Sequence, residues 1–214
     1  MSTTTHDRPL RADAVRNRAL IVDAARRLFA ERGLDVTLHD VAEAAGVGVG
    51  TVYRRFPDKD ALLGGLVEAK LENLLALAER CADRPSGREG LRSYLLGTME
   101  LRAGDKALST TVMRAAPATA DAERLRADLS EAVTRLVDRA HAEGAVREGF
   151  TAADVPSVSS MIGSIADRTR GEGPSAWRRY GALLLDAVCP PEGELPPMEG
   201  TPPAWVVGPP PACA

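Results

Sequence analysis

The sequence has few cysteines and few histidines. Its three cysteines include no C-x-x-C pair, and its three histidines show no metal-ligand spacing. We therefore expect no disulfide, no metal site and no cofactor. A paired nucleophile and base, a phosphate-binding glycine loop and a dinucleotide-binding fingerprint are also missing. Together these absences argue against an enzyme.

Long apolar segments are missing as well. The longest apolar runs, such as Gly181 to Leu185, fall far short of the ~20 residues that a membrane-spanning helix needs. Residues 1–18 contain no apolar core of a signal peptide. We therefore expect a cytoplasmic protein without a membrane partner.

The most informative stretch begins at Thr37 and reads TLHDVAEAAGVGVGTVYRRFPDK. Thr37 is followed three residues later by Asp40, which is the spacing of a capping box at the start of a helix. Gly46 suits the left-handed conformation that ends a helix. Val52 and Phe56, four residues apart, indicate the packed face of a second short helix. The stretch therefore predicts a helix-turn-helix.

The outer face of the second helix suits the major groove of DNA. Small residues at its start allow close approach, while hydroxyl and cationic side chains can bind phosphates and base edges. The predicted DNA-binding residues are Thr37, His39, Gly48, Val49, Gly50, Thr51, Tyr53, Arg54, Arg55 and Lys59. Two alternatives remain open. An exposed arginine pair also occurs on ordinary solvated helices, and His39 also fits a solvent-exposed capping turn without a phosphate contact.

These residues resemble the DNA-binding domain of the TetR family of transcriptional repressors. The resemblance covers residues 14–63 and rests on the motifs LIVDAA, LFAERG, GVGVGTVYRRF and PDKDALL. It implies DNA contacts at the positions that match the family's contact residues. These positions are Thr37, Gly48, Thr51, Tyr53 and Lys59. The chain departs from the family at Gly48, where serine is common, and at Arg55, where histidine or tyrosine is common.

The expected fold is all-α. The resemblance implies an N-terminal three-helix helix-turn-helix domain and a helical C-terminal domain that binds an effector and dimerises. We expect a flexible arm over residues 1–13, the DNA-binding domain over 14–60 and the effector-binding and dimerisation domain over 61–189. Residues 190–214 contain nine prolines, which predicts a disordered tail.

Apolar periodicity and the absence of a strand pattern predict helices throughout the C-terminal domain. The first runs from a cap at Asp58 to about residue 82, and the others cover 88–102, 106–115, 120–143, 152–168 and 175–188. Thr151 and Asp154 repeat the capping-box spacing. Gly64 and Gly65 interrupt the first of these helices, and both a hinge and a close helix contact remain open as explanations.

The resemblance also implies an effector pocket and a dimer interface. The predicted pocket residues are Tyr94, Thr98, Met99, Met113, Leu129, Val133 and Met161. In the family the last two helices form a four-helix dimer interface. This implies interface roles for Val158, Ile162, Ile165, Trp177, Tyr180, Leu184 and Val188. Ordinary core packing is the alternative for both sets. The scarcity of aromatic residues favours an aliphatic or compact effector.

The charge distribution indicates that the protein binds DNA in pairs. Residues 1–60 contain ten Lys and Arg and nine Asp and Glu, a net charge of +1, whereas residues 61–214 contain seventeen and twenty-one, a net charge of -4. One weakly charged domain makes few phosphate contacts, so useful affinity requires two copies on one duplex. The leading hypothesis is a homodimeric repressor of a palindromic double-stranded operator, released by a small-molecule effector. A DNA-binding architectural protein, or a regulator without an effector, is the alternative.

Overall fold

The computed structural model describes residues 7–104, 116–169, 173 and 176–190, and within them it contains eight α-helices and no strand. The helices are α1 (Asp7–Arg32), α2 (Leu38–Ala45), α3 (Val49–Arg55), α4 (Lys59–Ala82), α5 (Gly87–Gly104), α6 (Ala120–Ala142), α7 (Val155–Arg168) and α8 (Trp177–Val188). Two short 3-10 helices cover Gly33–Asp35 and Ala152–Asp154. The all-α prediction is confirmed. The helix predicted over residues 106–115 and nearly all of the predicted tail lie outside the described residues.

The start of α1 corrects the prediction of a flexible arm over residues 1–13. The helix already begins at Asp7, so residues 7–13 are helical. Pro9 is compatible with this start because it lies in the first turn, where backbone N–H groups have no intrahelical partner. Proline at this position therefore does not interrupt α1.

The described residues divide into two compact units, residues 7–74 with 116–128 and residues 75–104 with 129–190. The first unit thus extends beyond the predicted domain limit at residue 60. Its core is formed by α1, α2, α3 and the first half of α4. The buried residues are Ile21, Ala24, Ala25, Leu28, Phe29, Val36, Leu38, Val41, Ala42, Val52, Phe56, Leu62, Leu63 and Leu66.

The glycine pair in α4 marks a close contact within the first unit, and α4 continues through it without a break. A Cβ atom on Gly65 would lie 2.6 Å from the Phe56 ring, and one on Gly64 would lie 3.1 Å from the Thr119 methyl group. One turn further along α4, Glu68 accepts hydrogen bonds from Thr119 at 2.9 Å and from Arg18 at 3.1 Å. These contacts favour close packing over a hinge at the pair.

The second unit has its own core, built from α5, the later part of α6, α7 and α8. Leu91, Leu95, Met99 and Ile162 are fully buried in it. Cys81 and Cys189 are buried, free thiols. Burial raises the pKa of both thiols, which disfavours the reactive thiolate. Both cysteines therefore occupy the core as small apolar side chains do.

The end of α6 holds the turn that joins α4 to α5. Glu143 accepts hydrogen bonds from the backbone N–H of Gly87, at 2.7 and 2.8 Å to its two oxygens, and from that of Arg88 at 3.3 Å. Arg139 donates to the carbonyl groups of Ala82 and Pro85, both at 2.9 Å. The bond from Gly87 is the main reason that the pKa of Glu143 lies below its usual value. One helix end therefore satisfies backbone groups on both sides of the turn.

Candidate DNA-binding site

The helix-turn-helix begins with the predicted capping box. Thr37 N–H donates to the Asp40 carboxylate at 2.8 Å, and Asp40 N–H donates to the Thr37 hydroxyl at 3.2 Å. The hydroxyl and backbone N–H of Thr37 lower the pKa of Asp40, because both hydrogen bonds favour the charged carboxylate. The carboxylate therefore stays charged at neutral pH, and the start of α2 has a fixed geometry.

The turn between the two helices also follows the sequence signals. Gly46 has φ of 66°, in the left-handed region, and Val47 N–H donates to the carbonyl of Ala42 at 3.1 Å. Val52 and Phe56 fix α3 on the core, with 0% and 5% of their surfaces exposed. Tyr53, Arg54 and Arg55 of α3 therefore present their side chains outward.

All ten predicted DNA-binding residues lie in the first unit, at the start of α2, along α3 and at the start of α4. The exposed residues are Thr37, His39, Gly48, Gly50, Tyr53, Arg54 and Arg55, and the half-buried residues are Val49, Thr51 and Lys59. Val49 packs partly against the core, which leaves it less available for DNA than its neighbours. Tyr53 has 51% of its surface exposed, which is unusual for an aromatic side chain in a folded domain.

The fold itself does not require glycine at Gly48 or Gly50. Neither residue has a positive φ. A Cβ atom on Gly50 would meet no atom within 4 Å, and one on Gly48 would meet only the Thr51 hydroxyl at 3.9 Å. The free space at the start of α3 is thus available to an outside surface that approaches the backbone closely.

Lys59 has a contact within the fold that the sequence did not reveal. Its ammonium group donates a hydrogen bond to the carbonyl of Leu34 and stands 5.9 Å from the centre of the Phe29 ring. Because Leu34 is distant in sequence, no local pattern identifies this pair. An ammonium group has three donors, so two remain for an anion.

Lys59 also lines an open groove of about 560 Å³ that joins the starts of α2 and α4. The lining residues are Leu34, Asp35, Val36, Thr37, Leu38, Tyr53, Pro57, Asp58 and Lys59. At its edge the Asp58 carboxylate accepts a hydrogen bond from Ala61 N–H at 2.7 Å and caps α4, as the sequence predicts. The groove brings together Thr37, Tyr53 and Lys59, three of the residues expected to contact DNA.

A second contact lies on α3 itself. The Arg54 guanidinium group donates from Nη2 to the Thr51 hydroxyl at 3.1 Å. The two residues are three positions apart, and this spacing places side chains next to each other on a helix. The spacing alone is therefore a sequence signal for this pair.

The residues predicted for an effector pocket lie mostly in the core of the second unit. Tyr94, Thr98, Met99 and Val133 are buried, and Leu129 is half-buried. The Thr98 hydroxyl is already bonded to the Leu95 carbonyl at 2.8 Å and to the Ser159 hydroxyl at 2.7 Å. Burial raises the pKa of Tyr94 far above its usual value, so its phenol stays neutral.

Two of the predicted pocket residues are not in this core. Met161 has 53% of its surface exposed, so it lies outside this core. It lies on the outer side of α7, between buried positions. Met113 lies outside the described residues.

The predicted dimer interface also requires a correction. Val158, Ile162, Trp177 and Val188 are buried in the core of their own chain, with at most 9% of each surface exposed. They are covered by the second unit itself, which leaves them little surface for a partner. Ile165, Tyr180 and Leu184 are half-buried. The large apolar side chains that α7 and α8 expose are Met161 and Leu183.

The described residues show two further negative findings. None of their helices is long and apolar enough to cross a membrane. They also contain no group of three or more His, Cys, Asp or Glu side chains that could hold a metal ion.

Comparison with known families covers both units. The family described as bacterial regulatory proteins, tetR family, matches residues 21–66, which include α2 and α3. The family described as transcriptional regulator SbtR-like, C-terminal domain, matches residues 86–186. The chain belongs to the TetR family of transcriptional regulators. Its α2 and α3 form the DNA-binding helix-turn-helix of a TetR-family protein, and the resemblance predicted from the sequence is confirmed.

Solved TetR-family structures have the same fold over most of their length. The TetR transcription regulatory protein from Mycobacterium vanbaalenii is 26% identical, with a TM-score of 0.63 over 85% of this chain and 99% of that chain. The TetR transcriptional regulator SCO0520 from Streptomyces coelicolor is 28% identical, with a TM-score of 0.56 over 79% of this chain and 94% of that chain.

Curated relatives of this TetR-family regulator match over a shorter stretch. The HTH-type transcriptional regulator SAB2452 from Staphylococcus aureus is 32% identical over 75 residues, which are 35% of this chain and 40% of the relative. The chain thus spans less than half the length of this relative. The relatives are transcriptional regulators, and no catalytic family is indicated.

Proposed function

We propose that this TetR-family regulator is a homodimeric repressor that binds a palindromic operator and releases it when a small-molecule effector binds. The part of the proposal that concerns DNA binding rests on the outer face of α3. It combines two glycines with open space above them, an exposed tyrosine and two exposed arginines. This is a surface on which DNA can approach the backbone while cationic and hydroxyl groups bind phosphates and bases.

The need for two copies follows from charge. The first 60 residues carry a net charge of only +1, so one helix-turn-helix gains little from the phosphate backbone. Two linked copies bind one duplex far more tightly than either alone. A two-fold dimer requires two-fold related half-sites one or more helical turns apart.

The effector half of the proposal is supported by the second unit. Its sequence matches an SbtR-like C-terminal domain. Its predicted pocket residues Tyr94, Met99 and Val133 share one apolar core, and the predicted pocket residue Thr98 is also buried. Such a site suits an aliphatic or compact ligand with few polar groups. The ligand releases DNA only if it binds the DNA-free state more tightly than the DNA-bound state.

The experiment is selection of fragments from the organism's own genome, followed by footprinting on the selected site. We expect one preferred site with two-fold related halves. Binding to all duplexes alike would instead identify an architectural protein. Calorimetric titration with candidate metabolites then tests the effector, and saturable heat together with weaker operator binding would support it.

Replacing Lys59 with alanine should affect both folding and DNA binding. Loss of the hydrogen bond to Leu34 and of the contact with the Phe29 ring should lower the free energy of unfolding by about 1 kcal/mol. Loss of a phosphate contact should reduce the salt dependence of operator affinity by about one unit per half-site. Urea unfolding and operator titration at several salt concentrations measure the two effects. Lys59→Arg should retain the salt dependence. An unchanged dependence of operator affinity on salt in Lys59→Ala would show that Lys59 does not contact a phosphate.

Met161→Glu should dissociate the dimer without unfolding the protein. Met161 is the most exposed apolar side chain on α7, so a glutamate there should not destabilise the monomer. In a dimer that packs residue 161 against the partner, the same charge would be buried. Light scattering at micromolar concentration should show a fall to the 22.7 kDa monomer. Leu96→Glu on α5, where 39% of the residue is exposed, is the matched control and should leave the dimer intact. A Met161→Glu protein that remains dimeric would place the interface elsewhere.

A further inference from the structure

The hydrogen bond between Arg54 and Thr51 sets the direction of one of the two arginines on α3. The guanidinium group of Arg54 reaches the Thr51 hydroxyl, one turn nearer the start of the helix. Long helical side chains lean toward the N-terminus of their helix, so this direction agrees with ordinary helix geometry. The charge of Arg54 is thereby brought toward the half of α3 that contains Gly50.

Arg55 differs from its neighbour. It is exposed, and no side-chain hydrogen bond or ion pair to another described residue is found for it. Neighbouring positions on a helix do not face the same way, so Arg55 points to a different side of α3. Among the described residues, the guanidinium group of Arg54 thus has a side-chain partner on α3 and that of Arg55 has none.

This difference matters because bases and phosphates make different demands. Guanine is read by two parallel N–H donors aimed at O6 and N7, and this requires a guanidinium plane of fixed orientation. A phosphate accepts a cation from many directions and carries no sequence information. Arg54 uses one of its five N–H donors for the hydrogen bond to Thr51, so four donors remain for a guanine.

We propose that Thr51 is a positioning residue that orients Arg54 to read one guanine in each operator half-site, whereas Arg55 contacts the DNA backbone. The inference rests on the proposed function, since it concerns how the same face of α3 selects its sequence. It assigns different roles to two adjacent arginines that residue type alone cannot distinguish.

The experiment compares wild type, Arg54→Ala, Thr51→Val, Thr51→Ser and Arg55→Ala. Each is titrated with the selected operator and with operators in which single base pairs are exchanged. Arg54→Ala should lose about tenfold or more of the discrimination at one G·C pair in each half-site. Thr51→Val, which keeps the side-chain shape and removes the hydroxyl, should lose most of the discrimination at that same pair. Thr51→Ser should retain it.

Arg55→Ala is the matched control on the same helix. It should weaken binding to all sequences alike and reduce the salt dependence by about one unit per half-site. Since Thr51, Arg54 and Arg55 are not core residues, circular dichroism of all variants should match wild type. Loss of discrimination at a single base pair in Arg55→Ala, rather than in Arg54→Ala, would overturn the assignment.

The double variant Thr51→Val/Arg54→Ala separates positioning from a direct contact by Thr51. If Thr51 acts through Arg54, the double variant should discriminate no worse than Arg54→Ala. Additive losses, or an unchanged base profile in Thr51→Val, would overturn this inference while leaving the operator-binding proposal in place. A wild-type protein without any sequence preference would overturn both.

Discussion

Gly87→Ala is expected to lower the free energy of unfolding of the second unit by about 3 kcal/mol, at the upper end of the usual cost of overpacking. A Cβ atom there would lie 2.7 Å from the carbonyl carbon of Arg139, and 2.8 Å from both the Arg139 oxygen and the Ala140 nitrogen. These are backbone atoms of α6, so no side-chain rotation relieves the contact. The shift would also disturb the hydrogen bonds from Gly87 to Glu143.

Gly97→Ala is the matched control on the same helix. Its Cβ atom would lie 2.8 Å from a methyl group of Leu77, which is the end of a flexible side chain. The clash can be relieved by rotation, and alanine is a better helix former by about 1 kcal/mol, so we expect little net change. Urea unfolding followed by the fluorescence of Trp177, which is buried in the second unit, measures both variants in a Trp205→Phe background. Equal unfolding midpoints for the two variants would contradict the predicted contact with α6.

Local signals were sufficient to predict the helix-turn-helix. The Thr37 and Asp40 capping box, the left-handed Gly46 and the packed pair Val52 and Phe56 all depend on residues within four positions of each other. The spacing of these residues follows from the local geometry of helices and turns. These interactions survive in any tertiary surrounding that buries the same face of each helix.

Contacts between distant residues were not predictable in the same way. The hydrogen bond from Lys59 to Leu34 and the caps that Glu143 provides for the α4 to α5 turn join segments that are far apart in sequence. No periodicity encodes which backbone carbonyl or N–H a long side chain will reach. The sequence therefore predicts a DNA contact for Lys59 but not its contacts within the fold.

The last two helices give a second example of what the sequence pattern does not predict. Periodicity correctly identified an apolar face on α7 and α8, but it does not say what covers that face. In the structure the chain's own second unit covers Val158 and Ile162, while Met161, one residue away, is exposed. A partner contact is therefore better sought at the exposed positions than along the most apolar stripe.

Gly50→Leu is expected to reduce operator affinity at least a hundredfold, which corresponds to about 2.7 kcal/mol. In the free protein the new side chain has room, since a Cβ atom on Gly50 meets no other atom within 4 Å. Leucine also favours the helical state over glycine by about 1 kcal/mol, so the thermal midpoint should stay the same or rise. In the proposed complex the same space is occupied by DNA, and the leucine side chain would hold α3 away from the groove.

Gly50→Ala gives the graded comparison, because it gains similar helix stability with a much smaller side chain. Its loss of operator affinity should be about tenfold or less, between wild type and Gly50→Leu. Loss of binding with a gain in stability cannot arise from unfolding, so the pair of measurements separates a blocked surface from a damaged fold. Operator affinity that stays at the wild-type value in Gly50→Leu would mean that the first half of α3 does not lie against DNA. Other exposed residues of the site, such as Thr37, Tyr53 and Arg55, would then have to contact DNA in a different docking geometry.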